Sequence, residues 1–287
     1  MSGVCRMSAI KIAIIGGSGV YKIDGVQIVA EHKVNTPFGA PSSEIIEATL
    51  NGVSFYFIPR HGKHHNFTPS EVNYRANIFA LKELGVDYII SVSAVGSLKE
   101  EHAPGSFVIV DQFIDWTKGF RERTFFNKGF VAHVSCAEPV EKQLAKMMAE
   151  SCKEAGVPHH LGGSYICIEG PQFSSKAESN IYRSFGAAVI GMTNVPESYL
   201  AKEAGMAYAT IAMVTDYDCW KEEHCTVEEI MKVAAKNNQQ AHGVLKLLLP
   251  KLHNNQFAFK KENTYALMAK PANLTAEQQR TLEVLLK

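Results

Sequence analysis

Apolar residues follow one another in short runs along this chain, and most runs end in glycine or small polar residues. Runs of this length, bounded by turn residues, are typical of strands buried in a sheet. The predicted strands cover residues 10–15, 45–50, 53–59, 86–92, 107–114, 164–168, 188–190 and 208–214. Helical periodicity predicts helices over 68–85, 139–155, 196–204 and 226–251. Alternating strands and helices predict an α/β fold.

The stretch 188–220 predicts a βαβ unit, in which two buried parallel strands are joined by a helix over 196–204. Ligands of open α/β sheets collect at the carboxyl ends of parallel strands. The two strands present residues 192–193 and 215–218 there, which are Met-Thr and Thr-Asp-Tyr-Asp. We therefore expect a hydroxyl pair and a carboxylate pair to face one crevice.

Turn and capping residues mark where other elements begin. Asn51-Gly52 between two alternating strands is the strongest short hairpin signal in the chain. Hydroxyl residues followed three positions later by Glu or Gln predict capping boxes that open helices. These boxes begin at Thr68, Ser175, Thr226 and Thr275. Because Thr68 also precedes Pro69, which suits the first helical turn, a helix is expected from there to Gly85.

Composition and charge narrow the classes of partner. Lys plus Arg and Asp plus Glu both number 29, and no basic run exceeds two or three residues. An electrostatic footprint for nucleic acid is therefore missing, and no nucleic-acid partner is expected. The first apolar run is too short to span a membrane, so no membrane partner is expected. Six scattered cysteines, without a C-x-x-C pair or a secretory leader, predict reduced thiols and a cytoplasmic location.

Three predicted strand ends carry groups that suit an anion. The first strand leads into Gly-Gly-Ser-Gly, which exposes backbone amides and the Ser18 hydroxyl. The second hairpin strand ends in Arg60 and His61, which can offer a bidentate fork and an imidazole donor. A further strand ends in Ser93 and Ala94. The convergence of these strand ends predicts a phosphate site.

The individual corners also have simpler interpretations. The glycine-rich turn could bind a dinucleotide, but it lacks the third glycine of that fingerprint. The basic segment 60–65 could be a solvated loop. Alternatively, His61, His64 and His65 could ligate a metal, although the nearest acidic residue is Glu71 and an arginine would repel the cation.

The residues near the predicted base end also leave alternatives open. Asp216 and Asp218 could form an Asx turn, a D-x-D metal site or a purine-recognition pair. Phe173 follows a strand and could stack on a planar base, but core packing is commoner for a lone phenylalanine. The Asn194 amide could reach a purine edge or point away from it.

Six motifs in this order resemble those of the trimeric-type purine nucleoside phosphorylases. They are GGSG at 16–19, PRHGKHH at 59–65, SAVGSL at 93–98, IEGPQFSS at 168–175, GMTNVPE at 191–197 and TDYDCW at 215–220. The last two are most similar to family members that cleave 5′-methylthioadenosine. The resemblance covers roughly residues 10–250 and implies one domain, 9–253, with a central mixed β-sheet flanked by helices. The tail, 254–287, lies outside it and is expected to be an appendage or a packing arm with a short terminal helix.

The resemblance implies a reversible phosphorolysis of 5′-methylthioadenosine to adenine and 5-methylthioribose 1-phosphate, which serves purine and methionine salvage. The implied phosphate ligands are Ser18, Arg60, His61, Ser93, Ala94 and Thr193. The implied nucleoside contacts are Met192 under the ribose, Phe173 beside the base, Asp216 and Asp218 at the purine edge, and His133 from a neighbouring subunit. The implied residues for 5′-group specificity are Ser174, Val227 and Met231. Family members are trimers or dimers of trimers.

The proposed chemistry explains these residue types. Phosphate is both the nucleophile and the counter-charge to an oxocarbenium-like ribose. Asp216 can protonate the leaving purine if burial beside Asp218 raises its pKa, so that the pair shares one proton. The remaining carboxylate accepts from an amino group, so adenine is preferred. No metal or cofactor is expected, and inorganic phosphate is a co-substrate. A phosphorylase of 6-oxopurines such as methylthioinosine or inosine, and a non-catalytic nucleoside sensor, are the alternatives.

Overall fold

Strands and helices alternate as the apolar runs predict. The computed structural model describes residues 10–17, 23–221, 226–270 and 273–287. Its strands are β1 (Lys11–Gly16), β2 (Gln27–His32), β3 (Ile45–Leu50), β4 (Val53–Pro59), β5 (Val86–Ser97), β6 (Phe107–Ile109), β7 (Gln112–Trp116), β8 (His159–Leu161), β9 (Ser164–Ile168), β10 (Val189–Gly191) and β11 (Ala207–Tyr217). Its helices are α1 (Tyr74–Glu83), α2 (Lys142–Glu154), α3 (Lys176–Ser184), α4 (Asn194–Glu203), α5 (Val227–Asn254) and α6 (Ala276–Leu285). The predicted α/β class is confirmed.

Strand β5 lies at the centre of the sheet. Its first half lies between β1 and β11, which both run parallel to it. Its last residues, Gly96 and Ser97, pair with antiparallel β10 on one side and with β11 on the other. From β1 the sheet continues through β4, β3 and β2, and from β10 through β9 and β7, while β6 and β8 extend it beyond β11. Parallel and antiparallel pairs in one sheet confirm the predicted mixed sheet.

The central strands are apolar on both faces because helices cover them. Ile14 on β1, Ile89 on β5 and Ile211 on β11 are fully buried in one cluster. Helices α2 and α5 pack on each other and on β11, while α4 packs on α1 and also contacts β11. Two-sided burial is what allows continuous apolar runs in parallel strands. Within the described ranges, none of the helices has the length and apolar character that a bilayer crossing requires.

The prediction of a parallel βαβ unit over 188–220 is wrong. Strand β10 runs antiparallel to β5, whereas β11 runs parallel to β5 on its other side. Helix α4 therefore joins strands of opposite direction that are not neighbours. The physical reason is that the last partner of β1 on β5 is Ser91, which leaves the end of β5 open for the three-residue strand β10. The carboxyl ends of β10 and β11 thus do not share one edge.

The predicted helix start at Thr68 is also wrong. Helix α1 begins after Asn73, whose side chain accepts a hydrogen bond from the Ala76 backbone N–H at 3.1 Å. Thr68 and Glu71 do make reciprocal bonds. The Glu71 carboxylate accepts from the Thr68 N–H at 2.9 Å, and the Glu71 N–H donates to the Thr68 carbonyl at 3.1 Å. These bonds close an isolated turn and do not open the helix. A local capping signal was therefore present, but Asn73 supplies the cap of α1.

Several strand boundaries differ from the prediction. The apolar run 107–114 splits into β6 and β7, which lie at different places in the sheet. The strand predicted over 86–92 continues to Ser97 as β5. Strands β2 and β8 were not predicted, and both have largely exposed or half-exposed residues. Because they lack a buried apolar run, periodicity gave no signal for them.

The hairpin and three capping boxes are confirmed. Asn51 and Gly52 join β3 to β4 with positive φ angles of 51° and 78°. Two consecutive residues at positive φ are typical of the type I′ turn. Reciprocal capping boxes open α3 at Ser175, α5 at Thr226 and α6 at Thr275.

The tail packs against the same core as the rest of the chain. Phe257 is buried and stacks on Tyr88 of β5, with ring centroids 4.7 Å apart. Val284 and Leu285 of α6 belong to the main apolar cluster. Of the two expectations for residues 254–287, the packing arm is the one that fits. The division into a domain of 9–253 and an extension stays a prediction.

Candidate active site

Polar side chains from the segments on both sides of β5 lie against its second half. Ser93 lies within β5, and its Oγ is 3.3 Å from Oγ1 of Thr193, which follows β10. Three residues further along, Gly96 pairs with Asp216 of β11. A strand rises about 3.3 Å per residue, so these two points are separated by about 10 Å along one strand. Thr193 and the carboxylate pair thus both lie beside β5, although the predicted route through parallel carboxyl ends is wrong; Thr215, the other predicted hydroxyl, instead donates to Asp216 Oδ1 at 2.6 Å.

At the carboxylate end of the site, which Asp216 and Asp218 form, neighbouring segments come close to β5 at Gly96. A Cβ at this position would lie 3.1 Å from Ile190 Cγ2, 3.6 Å from Asp216 Oδ2 and 3.6 Å from Asp218 Cβ. The glycine therefore allows β10 and the segment 216–218 to approach β5 closely. The Asp218 backbone N–H donates to the Ser97 carbonyl at 2.9 Å, which extends this contact past the end of β11.

The two carboxyl groups are in different surroundings. Asp216 Oδ1 accepts a hydrogen bond from the Thr215 hydroxyl at 2.6 Å, and burial raises the pKa of Asp216. Burial also raises the pKa of Asp218, and the neighbouring Asp216 raises it further. Asp218 Oδ2 is buried without a direct hydrogen bond among the described residues, although the nearby Ser179 hydroxyl, also buried without a direct partner, lowers the pKa of Asp218. A buried acceptor of this kind is available to a ligand that donates a hydrogen bond.

Ser93 and Thr193 form what we call the hydroxyl end of the site. Arg60 lies next to this end, but the Glu197 carboxylate binds its guanidinium group. The guanidinium Nε and Nη2 donate to the two carboxylate oxygens of Glu197, at 2.6 and 2.8 Å. Nη1 donates to the carbonyl of Val92, one residue before Ser93, at 3.2 Å. The bidentate edge predicted to face phosphate is therefore engaged by Glu197. Because the pair is buried and formally neutral, this corner carries less positive charge than the sequence indicates.

The imidazole of His61 is held in one orientation. His61 Nδ1 lies 2.9 Å from the carbonyl of Phe67, so Nδ1 carries the proton and donates it. Burial, followed by the charge of Arg60, lowers the pKa of His61 to about 4. The neutral ring therefore presents Nε2 as an acceptor at neutral pH.

The metal interpretation of the histidine segment gains no support from the geometry. The His61 ring stacks on that of His65, with centroids 4.5 Å apart, and His64 and His65 are exposed. In the described part of the chain, no group of three or more His, Cys, Asp or Glu side chains is arranged to hold a metal ion.

Asn194 points away from the carboxylate end. Its Nδ2 donates to Ser91 Oγ at 3.0 Å and to the Tyr208 hydroxyl at 2.7 Å. The Tyr208 hydroxyl in turn donates to Glu197 Oε1 at 2.9 Å. These side chains are fully buried and form one network with Arg60 beneath the hydroxyl end. Of the two orientations considered for Asn194, the structure therefore has the one directed into the core.

The other predicted site residues are more dispersed. Ala94 is exposed on β5, and Met192 packs on Gly170, where a Cβ would collide with the Met192 side chain. The Ser174 hydroxyl is buried without a hydrogen-bond partner among the described residues. Phe173 and Met231 are exposed, at 76% and 64%.

Of three further predicted site residues, one lies in an exposed segment and two lie outside the described residues. His133 lies in an exposed segment whose backbone pairs with the tail, where its N–H donates to the carbonyl of Ala266 at 2.9 Å. Ser18 and the side chain of Val227 lie outside the described residues.

This arrangement can be compared with known proteins. A family model described as the phosphorylase superfamily matches residues 11–250. The chain belongs to the phosphorylase superfamily. The S-methyl-5′-thioadenosine phosphorylase of Geobacter sulfurreducens is 47% identical over 278 residues, which cover 96% of this chain and 97% of that protein.

Solved structures of the phosphorylase superfamily are similar over most of the chain. The methylthioadenosine phosphorylase from an antarctic soil metagenomic library has a TM-score of 0.92 and 45% identity, and the match covers 98% of this chain and 100% of that one. A variant of the Schistosoma mansoni adenosine/methylthioadenosine phosphorylase, in complex with methylthioadenosine, has a TM-score of 0.81 and 36% identity. That match covers 86% of this chain and 93% of the other.

Sequence reasoning missed two buried charged residues in this phosphorylase superfamily site. Glu197 lies in the GMTNVPE motif, but no role was derived for it. The signal that could have found it is the cost of burying Arg60, which requires a carboxylate partner. Arg121 lies in the loop after β7 and contacts several site segments. The sequence around Arg121 shows only an aromatic and basic loop, and no local pattern distinguishes it from the exposed Arg123.

Proposed function

We propose that this chain catalyses the reversible phosphorolysis of 5′-methylthioadenosine to adenine and 5-methylthioribose 1-phosphate. The observation that carries the proposal is that a hydroxyl corner and a pair of carboxyl groups, of which Asp218 is buried and Asp216 is half-buried, lie along one half of β5. The separation of about 10 Å suits a nucleoside bound between phosphate and the purine-binding groups. The relatives described above are named for the same substrate.

The hydroxyl end is the proposed phosphate site. Ser93, Ala94 and Thr193 would hold phosphate on the face of the ribose opposite the purine, and Ser18, Arg60 and His61 are proposed to complete the site. The neutral His61 supports a specific form of binding, because its Nε2 can accept the proton of hydrogen phosphate. Oriented hydrogen-bond donors place the nucleophile and stabilise the developing ribosyl charge.

The carboxylate end is the proposed purine site. Asp216, whose pKa is raised by burial, would donate its proton to the imidazole ring of the leaving adenine. Asp218, with Oδ2 available, would accept from the exocyclic amino group. A 6-oxopurine would place a lone pair against that acceptor, so the amino purine is favoured. Met192 is proposed under the ribose, and Ser174, Val227 and Met231 near the 5′ group.

The proposed enzyme is a homotrimer or a dimer of trimers in the cytoplasm. Exposed Phe173, Met231 and His133 support an assembly in which a neighbouring subunit covers the open side of the site. Free thiols at the described cysteines are consistent with a reducing compartment. The reaction is proposed to need no metal or cofactor, since phosphate and Asp216 supply the nucleophile and the proton. Light scattering should give three or six times the chain mass.

A product assay with and without inorganic phosphate tests this function. Methylthioadenosine should yield adenine and methylthioribose 1-phosphate only when phosphate is present. Its kcat/KM should exceed that of methylthioinosine by about 100-fold or more. Equal cleavage without phosphate would identify a hydrolytic nucleosidase, faster turnover of methylthioinosine or inosine would identify a 6-oxopurine phosphorylase, and binding without product would identify a sensor.

Two variants test the phosphate end separately. Thr193→Val keeps the shape of the side chain and removes its hydroxyl, so KM for phosphate should rise while KM for the nucleoside changes little. Thr281→Val is the matched control, because Thr281 is equally buried but lies on α6. An Arg60→Ala protein that kept full activity would contradict the phosphate assignment.

A further inference from the structure

Arg121 is a buried arginine to which the proposed reaction assigns no role. It lies in the loop between β7 and α2, and its side chain is 1% exposed. The neighbouring Arg123 has a side chain that is 49% exposed and pairs with Asp115. Burying a guanidinium is unfavourable unless its donors are satisfied, so the partners of Arg121 indicate what its burial achieves.

One nitrogen of Arg121 binds the turn from β10 into the first residues of α4, where Val195 has non-helical angles of φ −118° and ψ 126°. Nη1 donates to the carbonyls of Met192 and Val195, both at 2.7 Å. These two carbonyls bracket Thr193, the residue whose hydroxyl meets Ser93 at the hydroxyl end of the site. Holding both carbonyls on one nitrogen fixes the curvature of this turn and therefore the position of the Thr193 hydroxyl.

The other nitrogens of Arg121 bind the loop that follows β9. Nη2 donates to the carbonyls of Glu169 at 2.8 Å and Ile168 at 3.4 Å. Nε lies 3.3 Å from both the Glu169 carboxylate and the Ser70 hydroxyl, which also bond to each other. The same loop continues to residues 173–174, which are proposed to lie beside the purine and the 5′ group.

The two segments also touch directly. Gly170 has a positive φ of 65°, and a Cβ on it would collide with the sulfur of Met192. The phosphate-side turn and the base-side loop therefore pack without space between them. Arg121 hydrogen-bonds to the backbone of both, and the Cys167 thiol makes longer contacts with the Val195 carbonyl at 3.4 Å and the Ile168 carbonyl at 4.0 Å.

A lysine cannot reproduce this arrangement. The guanidinium is planar and directs N–H groups from three nitrogens in fixed directions, whereas an ammonium has one nitrogen at the end of a flexible chain. Replacing Arg121 with lysine keeps the charge but leaves backbone carbonyls on at least one segment without a donor. The substitution therefore separates the charge of Arg121 from its geometry.

We propose that Arg121 is a positioning residue that holds the phosphate-side turn at 192–195 in register with the base-side loop at 168–174. The inference rests on the function proposed above, because it assigns phosphate to the turn and the nucleoside to the loop. It adds that one side chain outside both subsites sets the distance between them. Misplacement of reacting groups by about 1 Å can lower a rate about 100-fold.

The test compares Arg121→Lys with Arg123→Lys as the matched control. Arg121→Lys should raise KM for both phosphate and methylthioadenosine and lower kcat, for a loss in kcat/KM of about 100-fold. Arg123→Lys should keep wild-type constants. Arg121→Met, which also removes the charge, should be less active than the lysine variant; the difference between these two variants measures the contribution of the charge, and the activity that Arg121→Lys still lacks measures the positioning role. Circular dichroism and thermal unfolding establish the folded fraction to which each rate is normalised.

The outcomes separate this inference from the proposed function. A folded Arg121→Lys protein with a lower Tm but wild-type kcat and KM values would overturn it, because Arg121 would then only stabilise the fold. If Arg121→Met fails to fold, the lysine variant alone decides. If the wild type cleaves nothing, calorimetric Kd values for adenine and for phosphate replace the KM values. Unchanged affinities in Arg121→Lys would then overturn the inference, whereas the missing turnover counts against the proposed function.

Discussion

Asp216 and Asp218 illustrate how two identical side chains acquire different properties. Both have a pKa raised by burial, so full ionisation of the pair is unfavourable. Asp216 accepts from the Thr215 hydroxyl at 2.6 Å, whereas Asp218 Oδ2 makes no direct hydrogen bond among the described residues and has the Ser179 hydroxyl nearby. We therefore expect the pair to share one proton, with a donor and an acceptor for the proposed purine. The sequence predicted that burial beside a second carboxylate raises the pKa of Asp216; the structure attributes the rise to burial, and the division of the pair into donor and acceptor stays a prediction.

Asp216→Asn should change both the rate and the preferred base. An amide N–H is too weak an acid to transfer its proton to the leaving purine, so kcat for methylthioadenosine should fall by about 100-fold or more. Its N–H group can donate to a 6-oxo group, so the ratio of kcat/KM for methylthioinosine to that for methylthioadenosine should rise. One initial-rate experiment with the two nucleosides gives both kcat and the ratio of kcat/KM values. Asp24→Asn, at an exposed position, is the control. An unchanged ratio would mean that Asp216 does not face the purine.

His61 should remain neutral throughout the physiological pH range. Burial and the charge of Arg60 lower its pKa to about 4, and the Phe67 carbonyl fixes the proton on Nδ1. Because the folded-state pKa lies below the ordinary value of 6.5, protonation of His61 costs stability as the pH falls from about 6.5 toward 4. Nuclear magnetic resonance of the imidazole nitrogens in the folded protein should show the Nδ1–H tautomer from pH 8 to 5. A midpoint near 6.5 would contradict this expectation.

At the scale of elements, β5 determines where the two ends of the site lie. The apolar run to Val92 predicted the strand, and Ser-Ala-Val-Gly-Ser after it suggested a loop. The strand continues to Ser97 because β10 and β11 pair with it, and these partners are about one hundred residues distant in sequence. Local propensity carries no information about such partners, so the direction of β10 was predicted wrongly. The hairpin at Asn51-Gly52 was predicted correctly because its signal is local.

Gly96→Ala should disturb the base end of β5 more than the phosphate end. The new Cβ would lie 3.1 Å from Ile190 Cγ2 and 3.6 Å from Asp216 Oδ2, so β10 or the carboxylate segment must shift by a few tenths of an ångström. We expect a loss of stability of about 1–3 kcal/mol. KM for methylthioadenosine should rise several-fold more than KM for phosphate.

Gly243→Ala is the matched control for this substitution. Gly243 lies within α5, and its added Cβ would have no neighbour within 4 Å among the described residues. Alanine is favoured over glycine in a helix, so this variant should be slightly more stable than the wild type and have unchanged kinetic constants. An equal rise in both KM values of Gly96→Ala would show that β5 moves as one unit.

At the scale of the whole molecule, Glu203 joins the tail to the loop that contains Arg121. Glu203 accepts hydrogen bonds from the Thr124 hydroxyl at 2.7 Å and the Phe125 N–H at 2.8 Å. The Glu203 carbonyl accepts from Asn263 of the tail at 3.0 Å. The sequence identified the terminal helix by its capping box but not the surface on which it packs. The segment that precedes the terminal helix has little periodicity, and the residues on which this segment packs, including Tyr88, are distant in sequence.

Glu203→Gln should change the pH dependence of stability. Burial raises the pKa of Glu203 to about 7 from a reference value of 4.5. Between these values the folded protein keeps a proton that the unfolded chain releases, so this group makes the free energy of unfolding fall as the pH rises from about 4.5 to 7. The slope is at most about 1.4 kcal/mol per pH unit, and it ends above the folded-state pKa. Glutamine removes this contribution, so the variant should lose less stability than the wild type between pH 5 and 8.

Urea unfolding at pH 5, 6, 7 and 8 measures this difference. At pH 5 the glutamine variant should be about as stable as the wild type, because its amide oxygen can accept from the Phe125 N–H while its N–H group donates to the Thr124 hydroxyl. Toward pH 8 the glutamine variant should become more stable than the wild type, whose carboxylate is ionised in a buried position near Arg75. Glu228→Gln, whose side chain is 78% exposed in the wild type, should reproduce the wild-type profile. Parallel curves for Glu203→Gln and the wild type would mean that Glu203 ionises in the folded protein as it does in the unfolded chain. Its hydrogen bonds would then join α4 to the Arg121 loop without making stability depend on pH.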